Sequence, residues 1–235
     1  MRTHQETRIK AILGFLLTWR LRPILLMNQD SLFVADLTQS KLNLLPKDGC
    51  IHYHPGFIGA TNSTKLMDQL QQSLQWDADQ LMMFGKLVIT RRKVAWVGDP
   101  NCAYTYSGVK KQPQAWTPAL LAIKSQIEEL AQADFNSCLL NFYHDGTDAM
   151  GWHSDDEKEL NAQSPIASLS LGAPRKFAFK HKQDKSTTSL FLENGSALIM
   201  HAPTQQFWQH ALLKTKTIHT SRINLTFRKI HTQNG

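Results

Sequence analysis

Cysteine is scarce in this chain. Among 235 residues there are three, Cys50, Cys102 and Cys138, and no two of them form a C-x-x-C pair. An odd number of widely separated cysteines argues against a disulfide framework and against a thiolate metal site. We therefore expect a protein of a reducing, cytoplasmic compartment.

Long hydrophobic runs are also missing. The apolar segment 11–17 is too short to span a bilayer, so we expect no membrane partner. Basic residues precede this segment as in a signal peptide, but no small-residue cleavage site follows it. The composition shifts at Met27, which is a candidate for the true start of translation, with residues 1–26 as an uncertain tail.

Charge of one sign is in modest excess. The formal net charge is +7, from 26 basic and 19 acidic residues. Residues 1–26 hold five basic residues and one acidic residue, a net of +4, which leaves +3 for the rest. This remainder is too small to identify nucleic acid as a partner by charge alone. A hydrophobic content of 42% is ordinary for a globular protein.

The first half of the chain mixes predicted helices and strands. Apolar residues at helical spacing predict a helix between residues 62 and 76, and Thr117 with Pro118 is typical of the start of a second helix. Residues 80–89 and 94–97 read as strands, with the basic triplet 91–93 at the turn between them.

After residue 134 short apolar runs alternate with turn signals. The predicted strands are 137–143, 166–171, 176–179, 189–192, 197–200 and 222–230. Many short strands at this spacing indicate a sandwich or barrel. We therefore divide the chain into the tail 1–26, an N-terminal α/β part 27–134 and a β core 135–235 that carries the chemistry. We expect a monomer.

Three residues of the last third have the side chains of an iron site. His153 and Asp155 are two apart, so they point to one side of an extended segment, and His210 follows later in the chain. Two imidazoles and one carboxylate on one side of an iron leave the other positions open, as in non-haem Fe(II) oxygenases. Taken alone, H-x-D is a weak motif, and a single histidine is more often a core or surface residue.

The predicted last strand adds two arginines. Arg222 and Arg228 share one face with Asn224 and Thr226, while apolar residues occupy the other face. The simpler interpretation is a half-buried strand with a solvated polar face. If the polar face points into the barrel instead, the buried guanidinium groups need anionic partners. A guanidinium binds carboxylates bidentately, so the pair indicates a dicarboxylate co-substrate, 2-oxoglutarate.

Several runs resemble the AlkB family of Fe(II)- and 2-oxoglutarate-dependent dioxygenases. These runs are 141–146 (Asn-Phe-Tyr-His-Asp-Gly), 153–157 (His-Ser-Asp-Asp-Glu), 166–179 and 222–228. Upstream, the runs 84–86 (Phe-Gly-Lys), 98–99 and 104–108 (Tyr-Thr-Tyr-Ser-Gly) are similar to the branch that repairs alkylated DNA. The resemblance covers roughly residues 83–230, and residues 1–60 carry little of it.

The resemblance implies an α+β, mainly β fold. Its core would be a double-stranded β-helix, or jelly-roll, and its N-terminal α/β extension would recognise the nucleotide. Iron would be held by the three ligands named above. The resemblance assigns co-substrate binding to five residues, namely Asn141, Tyr143, Arg222, Asn224 and Arg228.

The implied activity is oxidative removal of an N-alkyl group from a base. Fe(II) and dioxygen act with 2-oxoglutarate, which is decarboxylated to succinate, and the hydroxylated alkyl group leaves as an aldehyde. The expected substrate is DNA, single- or double-stranded, with lesions of the 1-methyladenine or 3-methylcytosine type, and possible RNA substrates are left open. A base within a duplex must be extruded before it can react.

The resemblance also assigns substrate contacts. Tyr106 and the ring of His153 would sandwich the extruded base, and polar groups of Asp156 and Glu157 would line its pocket, near Tyr104. Phe84 would enter the stack as a wedge, and Arg92 with Lys93 would contact phosphates. The alternative is that Phe84 is a core residue and the basic triplet a solvated turn.

Two other functions fit parts of the pattern. The first is a 2-oxoglutarate oxygenase that acts on RNA, protein or a small molecule, because the barrel does not determine the substrate. The second is a non-enzymatic barrel or a zinc hydrolase, since histidines and a carboxylate also bind zinc.

Overall fold

Antiparallel strands make up most of the structure, a computed structural model that describes residues 42–83, 86–102, 104–106 and 109–231. The strands are β1 (Cys50–His54), β2 (Asp77–Met83), β3 (Lys86–Gly98), β4 (Tyr104–Tyr106), β5 (Val109–Lys111), β6 (Ser137–Tyr143), β7 (Met150–His153), β8 (Ile166–Gly172), β9 (Arg175–His181), β10 (Thr187–Leu192), β11 (Ala197–His201), β12 (Trp208–Leu212) and β13 (Arg222–Arg228). The helices are α1 (Ala60–Ser73), α2 (Pro118–Ala131) and the short α3 (Thr204–Phe207), with a 3-10 turn at Pro100–Cys102.

The strands form two main sheets. The larger has seven strands in the order β1-β11-β8-β13-β6-β3-β2, and the smaller has four in the order β10-β9-β12-β7. Strands β4 and β5 form a separate two-stranded ribbon. The cavity described below is lined by residues of both main sheets. This arrangement is a jelly-roll core, as the resemblance implied.

The helices form where the apolar spacing predicts them. Helix α1 begins two residues earlier than expected, and α2 begins at Pro118, where the Thr117 hydroxyl accepts a hydrogen bond from the Leu120 amide at 3.2 Å. The buried faces of both helices belong to one apolar cluster with the outward-facing residues of the larger sheet, including Leu225 and Phe227 of β13. Because the helices cover this face, the opposite face of β13 points between the two sheets.

The turn predicted at residues 91–93 is wrong. These residues lie inside β3, which runs without interruption from Lys86 to Gly98, and β2 ends at Met83. Arg91 and Lys93 are exposed while Arg92 between them is buried, which is the alternation of a strand. A basic triplet resembles a solvated turn in sequence, but here the buried charge of Arg92 is neutralised by Asp79 of the neighbouring strand.

Strands from both sides of residue 134 share the larger sheet, because β1 pairs with β11 and β3 pairs with β6. The functional division of the chain at residue 134 stays a prediction. Within the part of the chain that the structure describes, no helix has the length and hydrophobicity to cross a membrane.

Candidate metal and co-substrate site

His153, Asp155 and His210 lie together although they are distant in sequence. His153 of β7 and His210 of β12 are direct partners across the antiparallel pair, and their ring centroids are 4.3 Å apart. Asp155 follows β7, with carboxylate oxygens 3.8 Å from His153 Nε2 and 4.0 Å from His210 Nε2. The potential ligand atoms of all three residues lie within 4.8 Å of one another. The predicted set therefore forms a possible metal site.

The two imidazoles are fixed by different surroundings. His153 Nδ1 lies 2.8 Å from the carbonyl of Gly151, which can only accept, so Nδ1 is the donor and Nε2 is the nitrogen that faces Asp155. Burial lowers the pKa of His210 to about 4, although the nearby Asp155 carboxylate opposes this shift. His210 is therefore neutral at physiological pH.

Asp155 is the carboxylate of the site and is buried. Burial by itself raises its pKa, but Arg228 and the two imidazoles together lower the pKa below its ordinary value. Arg228 Nη2 lies 2.6 Å from Asp155 Oδ1, and the Gln205 side chain accepts a hydrogen bond from the Asp155 amide at 3.0 Å. These contacts hold the carboxylate ionised and fixed in place.

A cavity between the two sheets adjoins the three residues. Its lining from the larger sheet includes Asn141, Tyr143, Arg222, Asn224, Thr226 and Arg228. Its lining from the smaller sheet includes His153, Phe177, His210 and Leu212. The polar face of β13 therefore points into the barrel, and the simpler interpretation of that strand as solvated on one side is wrong.

Arg222 is buried at the wall of this cavity. Its Nη2 donates to Ser170 Oγ and to Asn224 Oδ1, both at 2.9 Å. Burial lowers the pKa of Arg222 to about 10, so the guanidinium remains charged at neutral pH. Asn224 also accepts from Ser168 and donates to Thr226, each at 2.9 Å. Asn224 thus orients Arg222 within a polar network.

The side chains that face the cavity fit iron and 2-oxoglutarate. Two imidazoles and one carboxylate match an Fe(II) ligand set with open positions. Among the described residues, Asn141 Oδ1, Arg222 Nε and Arg228 Nε are buried without a hydrogen-bond partner. Such atoms are costly to bury, and a polar, dianionic ligand would satisfy the two guanidinium groups.

The structure describes the side chains of only some of the residues predicted to contact the base. Asp156 and Glu157 are exposed and line the rim of a second cavity that shares Asp155 and Arg228 with the first. Tyr104 and Tyr106 lie on β4, but their side chains fall outside the described part of the structure. Phe84 is also outside the described residues, between β2 and β3. Their substrate roles stay predictions.

Arg92 and Lys93 occupy different environments. Arg92 is 3% exposed and pairs with Asp79, and its Nη1 donates to the carbonyl of Ala149 at 3.2 Å. It does not lie on the surface, as a phosphate contact would require. Lys93 is exposed and is free to meet a phosphate.

Sequence reasoning missed Arg175, which is buried beside Tyr143 and binds four backbone carbonyls. It lies inside the family-like run 166–179, immediately before the predicted strand 176–179, but the resemblance assigned it no role. Gln205, which accepts a hydrogen bond from the Asp155 amide, was missed as well, because the pair Gln205-Gln206 belongs to no recognised motif.

The fold and the site together define a class. A jelly-roll core that carries two histidines and a carboxylate beside a basic, buried cavity is that of an Fe(II)- and 2-oxoglutarate-dependent oxygenase. The family model of the 2OG-Fe(II) oxygenase superfamily matches residues 50–228. The chain belongs to this superfamily and, within it, to the AlkB family of dioxygenases. Its cofactors are Fe(II), 2-oxoglutarate and dioxygen.

Similar proteins support this assignment. DNA oxidative demethylase ALKBH2 of Mus musculus is 38% identical over 207 residues, which cover 83% of this chain and 87% of that protein. Alpha-ketoglutarate-dependent dioxygenase alkB homolog 3 of Mus musculus is 35% identical over 188 residues, covering 76% and 65%. The structure of OsALKBH1 shows the same fold, with a TM-score of 0.54 at 19% identity over 76% of this chain and 97% of that one.

Proposed function

We propose that the protein removes alkyl groups oxidatively from N-alkylated bases in DNA, such as 1-methyladenine and 3-methylcytosine. The observation that carries the proposal is the cluster of His153, Asp155 and His210 beside a cavity lined by two arginines, Arg222 and Arg228, whose buried Nε atoms have no hydrogen-bond partner. The relatives named DNA oxidative demethylase support DNA as the substrate.

Each cavity residue has a role in this proposal. His153, Asp155 and His210 would hold Fe(II), and Arg222 would bind the distal carboxylate of 2-oxoglutarate, with Asn141 and Tyr143 beside it. When bound, the iron supplies an oxidant generated from dioxygen and 2-oxoglutarate, which hydroxylates the N-alkyl carbon. Arg228 lies between the metal ligand Asp155 and the rim residue Glu157, at 2.6 Å and 3.9 Å. Arg228 therefore lies between the metal ligands and the residues proposed to contact the base.

The substrate would approach the exposed side of His153. This side chain is 32% exposed, and the exposed residues Asp156 and Glu157 line the adjoining second cavity, which shares Asp155 and Arg228 with the first. Acidic groups can accept hydrogen bonds from the exocyclic amine of adenine or cytosine. We propose that Tyr106 completes the sandwich with the His153 ring, and that Tyr104 lines the same pocket.

We further propose that the protein acts as a monomer in the cytoplasm, on single- or double-stranded DNA. The three cysteines are free thiols, in keeping with a reducing compartment. RNA, a protein or a small molecule is the alternative substrate class.

The experiment offers four substrates to the protein with Fe(II), 2-oxoglutarate and dioxygen. These are single-stranded DNA with one 1-methyladenine, the same DNA as a duplex, RNA of the same sequence with the same methylated base, and unmodified DNA. We expect repaired adenine from both methylated DNA substrates and none when zinc replaces iron, because zinc has no redox chemistry. Turnover of RNA alone, or of none of the methylated oligonucleotides, would refute DNA repair as the function.

A further inference from the structure

Arg175 is a buried guanidinium next to the co-substrate cavity. It is 1% exposed, and its Nη1 donates to the Asp145 carbonyl at 3.1 Å. Its Nη2 donates to the carbonyls of Gly146, Asp148 and Leu213, at 3.1, 2.8 and 2.7 Å. Within the described residues no carboxylate lies within 4.0 Å of Arg175, so its charge is offset by backbone dipoles and by the more distant carboxylates of Asp148 and Asp145, and not by an ion pair.

Arg175 and Arg222 flank the same aromatic ring. Their guanidinium carbons lie 6.0 and 5.6 Å from the centroid of the Tyr143 ring. Arg92 lies at 5.8 Å from the same centroid, but its charge is neutralised by Asp79. Two buried guanidinium groups with no carboxylate within 4.0 Å among the described residues therefore lie beside the Tyr143 ring, and this ring lines the cavity together with Arg222.

This concentration of charge is unfavourable in the ligand-free protein. Burial lowers the pKa of both arginines, and the charge of Arg175 contributes to the lowered pKa of Arg222. Two buried charges of the same sign are unfavourable unless a group of opposite charge compensates for them or a function requires both. An anion bound at Arg222 would be attracted by both guanidinium groups, and its binding would relieve their repulsion.

The contacts of Arg175 also organise the site. The turn 144–149 connects β6, which carries Asn141 and Tyr143, with β7, which carries His153. Three of the four carbonyls bound by Arg175 belong to this turn. A planar fork with several donors can satisfy such a set, whereas the single ammonium of lysine satisfies fewer acceptors at once.

We propose that Arg175 is a positioning residue that strengthens the binding of the distal carboxylate of 2-oxoglutarate at Arg222, through its charge and through its hold on the 144–149 turn. The proposal rests on the use of 2-oxoglutarate in the proposed function. It assigns no contact between Arg175 and the co-substrate: Nη1 and Nη2 are bound to carbonyls, and although Nε has no hydrogen-bond partner, Arg175 is not among the residues that line the cavity.

The test compares two ligands that differ in the distal carboxylate. The full-length protein is loaded with zinc, which supports binding without turnover, and titrated calorimetrically with 2-oxoglutarate and with 2-oxopentanoate, which lacks that carboxylate. The affinity for 2-oxoglutarate divided by the affinity for 2-oxopentanoate measures the contribution of the distal carboxylate. A merely structural loss would weaken both ligands alike and leave the ratio unchanged.

We expect Arg175→Met to reduce the ratio roughly tenfold, the size of the interaction of a nearby charge at intermediate dielectric. Arg175→Lys keeps the charge but loses the fork, so its ratio should stay within about threefold of the wild-type value while its unfolding temperature falls. Arg91→Gln is the matched control, because Arg91 binds the same turn at Asp145 but is exposed, and its ratio should not change.

Equal weakening of both ligands in Arg175→Met would overturn the proposal. If that variant does not fold, a collapse of the ratio in folded Arg175→Lys would overturn the role of the charge. A wild-type protein that binds both ligands equally would instead refute the assignment of 2-oxoglutarate to the site, which separates failure of the proposed function from failure of this inference.

Discussion

At the scale of single residues, the burial of Arg222 determines its role. Its charged guanidinium has two hydrogen bonds to neutral side chains and an unpaired Nε. Arg222→Met should weaken 2-oxoglutarate binding on the order of thirtyfold, because a hydrogen bond to a charged group contributes about 2 kcal/mol. The concentration of 2-oxoglutarate that gives half-maximal succinate formation measures this, with exposed Arg91→Met as control. An unchanged requirement would make Arg222 a structural residue.

Arg92 has a stability role at the same scale. Removing one partner of a buried ion pair leaves the other charge uncompensated, so Arg92→Ala should lower the free energy of unfolding by about 3 kcal/mol. Lys93→Ala should leave stability nearly unchanged and instead reduce the salt dependence of DNA binding. Urea denaturation of both variants checks the first part. Equal stability of the two variants would show that the pair between Arg92 and Asp79 contributes little.

The sequence alone predicts which polar residues share a face, but not what surrounds that face. The alternation in β13 placed Arg222 and Arg228 on one face, but it could not decide whether that face meets water or the barrel interior. The answer depends on α1 and α2, which cover the apolar face with residues distant in sequence. For the same reason, the partner of Arg92 could not be predicted, because Asp79 meets it only through the pairing of β2 and β3.

At the scale of elements, the hairpin of β2 and β3 leads to a prediction about the repair of duplex DNA. Phe84 lies between Met83, the end of β2, and Lys86, the start of β3. A wedge at this position offsets an unstacking cost of a few kcal/mol, and this cost arises only when a partner strand is present. Phe84→Ala should therefore slow repair of a methylated duplex much more than repair of the same single strand.

The matched control for Phe84 is Ile89→Ala. Ile89 is 64% exposed on β3 of the same hairpin, so its loss removes a similar apolar surface away from the proposed wedge. Repair rates on the two substrates should change little in this variant. Equal losses on duplex and single strand for Phe84→Ala would indicate a packing role for that ring.

Some of the strands could be predicted from the sequence and others could not. Strand β6 was predicted with its observed ends, because a short, mostly apolar run is followed by the turn signal Asp145-Gly146. Strands β7 and β12, which carry the two histidines, gave no clear signal. β7 has four residues, half of them exposed, and β12 follows the short helix α3 directly. Their pairing, which joins His153 to His210, is a long-range contact that local patterns do not encode.

At the scale of the whole molecule, a histidine cluster predicts how stability depends on pH. His52 Nδ1 lies 3.1 Å from His201 Nε2 where β1 pairs with β11, and Cys50 Sγ lies 3.5 Å from His52 Nε2. Burial first, and then the neighbouring imidazoles, lower the pKa of His54 and of His201. The unfolded chain, with ordinary histidine pKa values near 6.5, therefore binds protons more readily than the folded protein.

The stability that this cluster contributes is present above about pH 6.5 and is lost as the pH falls through that value toward the folded pKa values. The double variant His54→Gln, His201→Gln should lose less of its unfolding temperature than the wild type between about pH 7.5 and about pH 5.5. Exposed His219→Gln is the control and should follow the wild type. Identical pH profiles for all three proteins would contradict the role of the cluster.

The products of a single reaction show whether the protein is an oxidative DNA demethylase. A DNA strand with a single 1-methyladenine is incubated with Fe(II), 2-oxoglutarate and dioxygen, and repaired strand, succinate and formaldehyde are quantified in the same reaction by mass spectrometry. For the wild type we expect the repaired strand and formaldehyde in equal amounts, with at least as much succinate. All three should be absent for His210→Ala, which lacks a metal ligand, and present for His219→Ala. Repair without succinate, or repair by His210→Ala at the wild-type rate, would contradict the account.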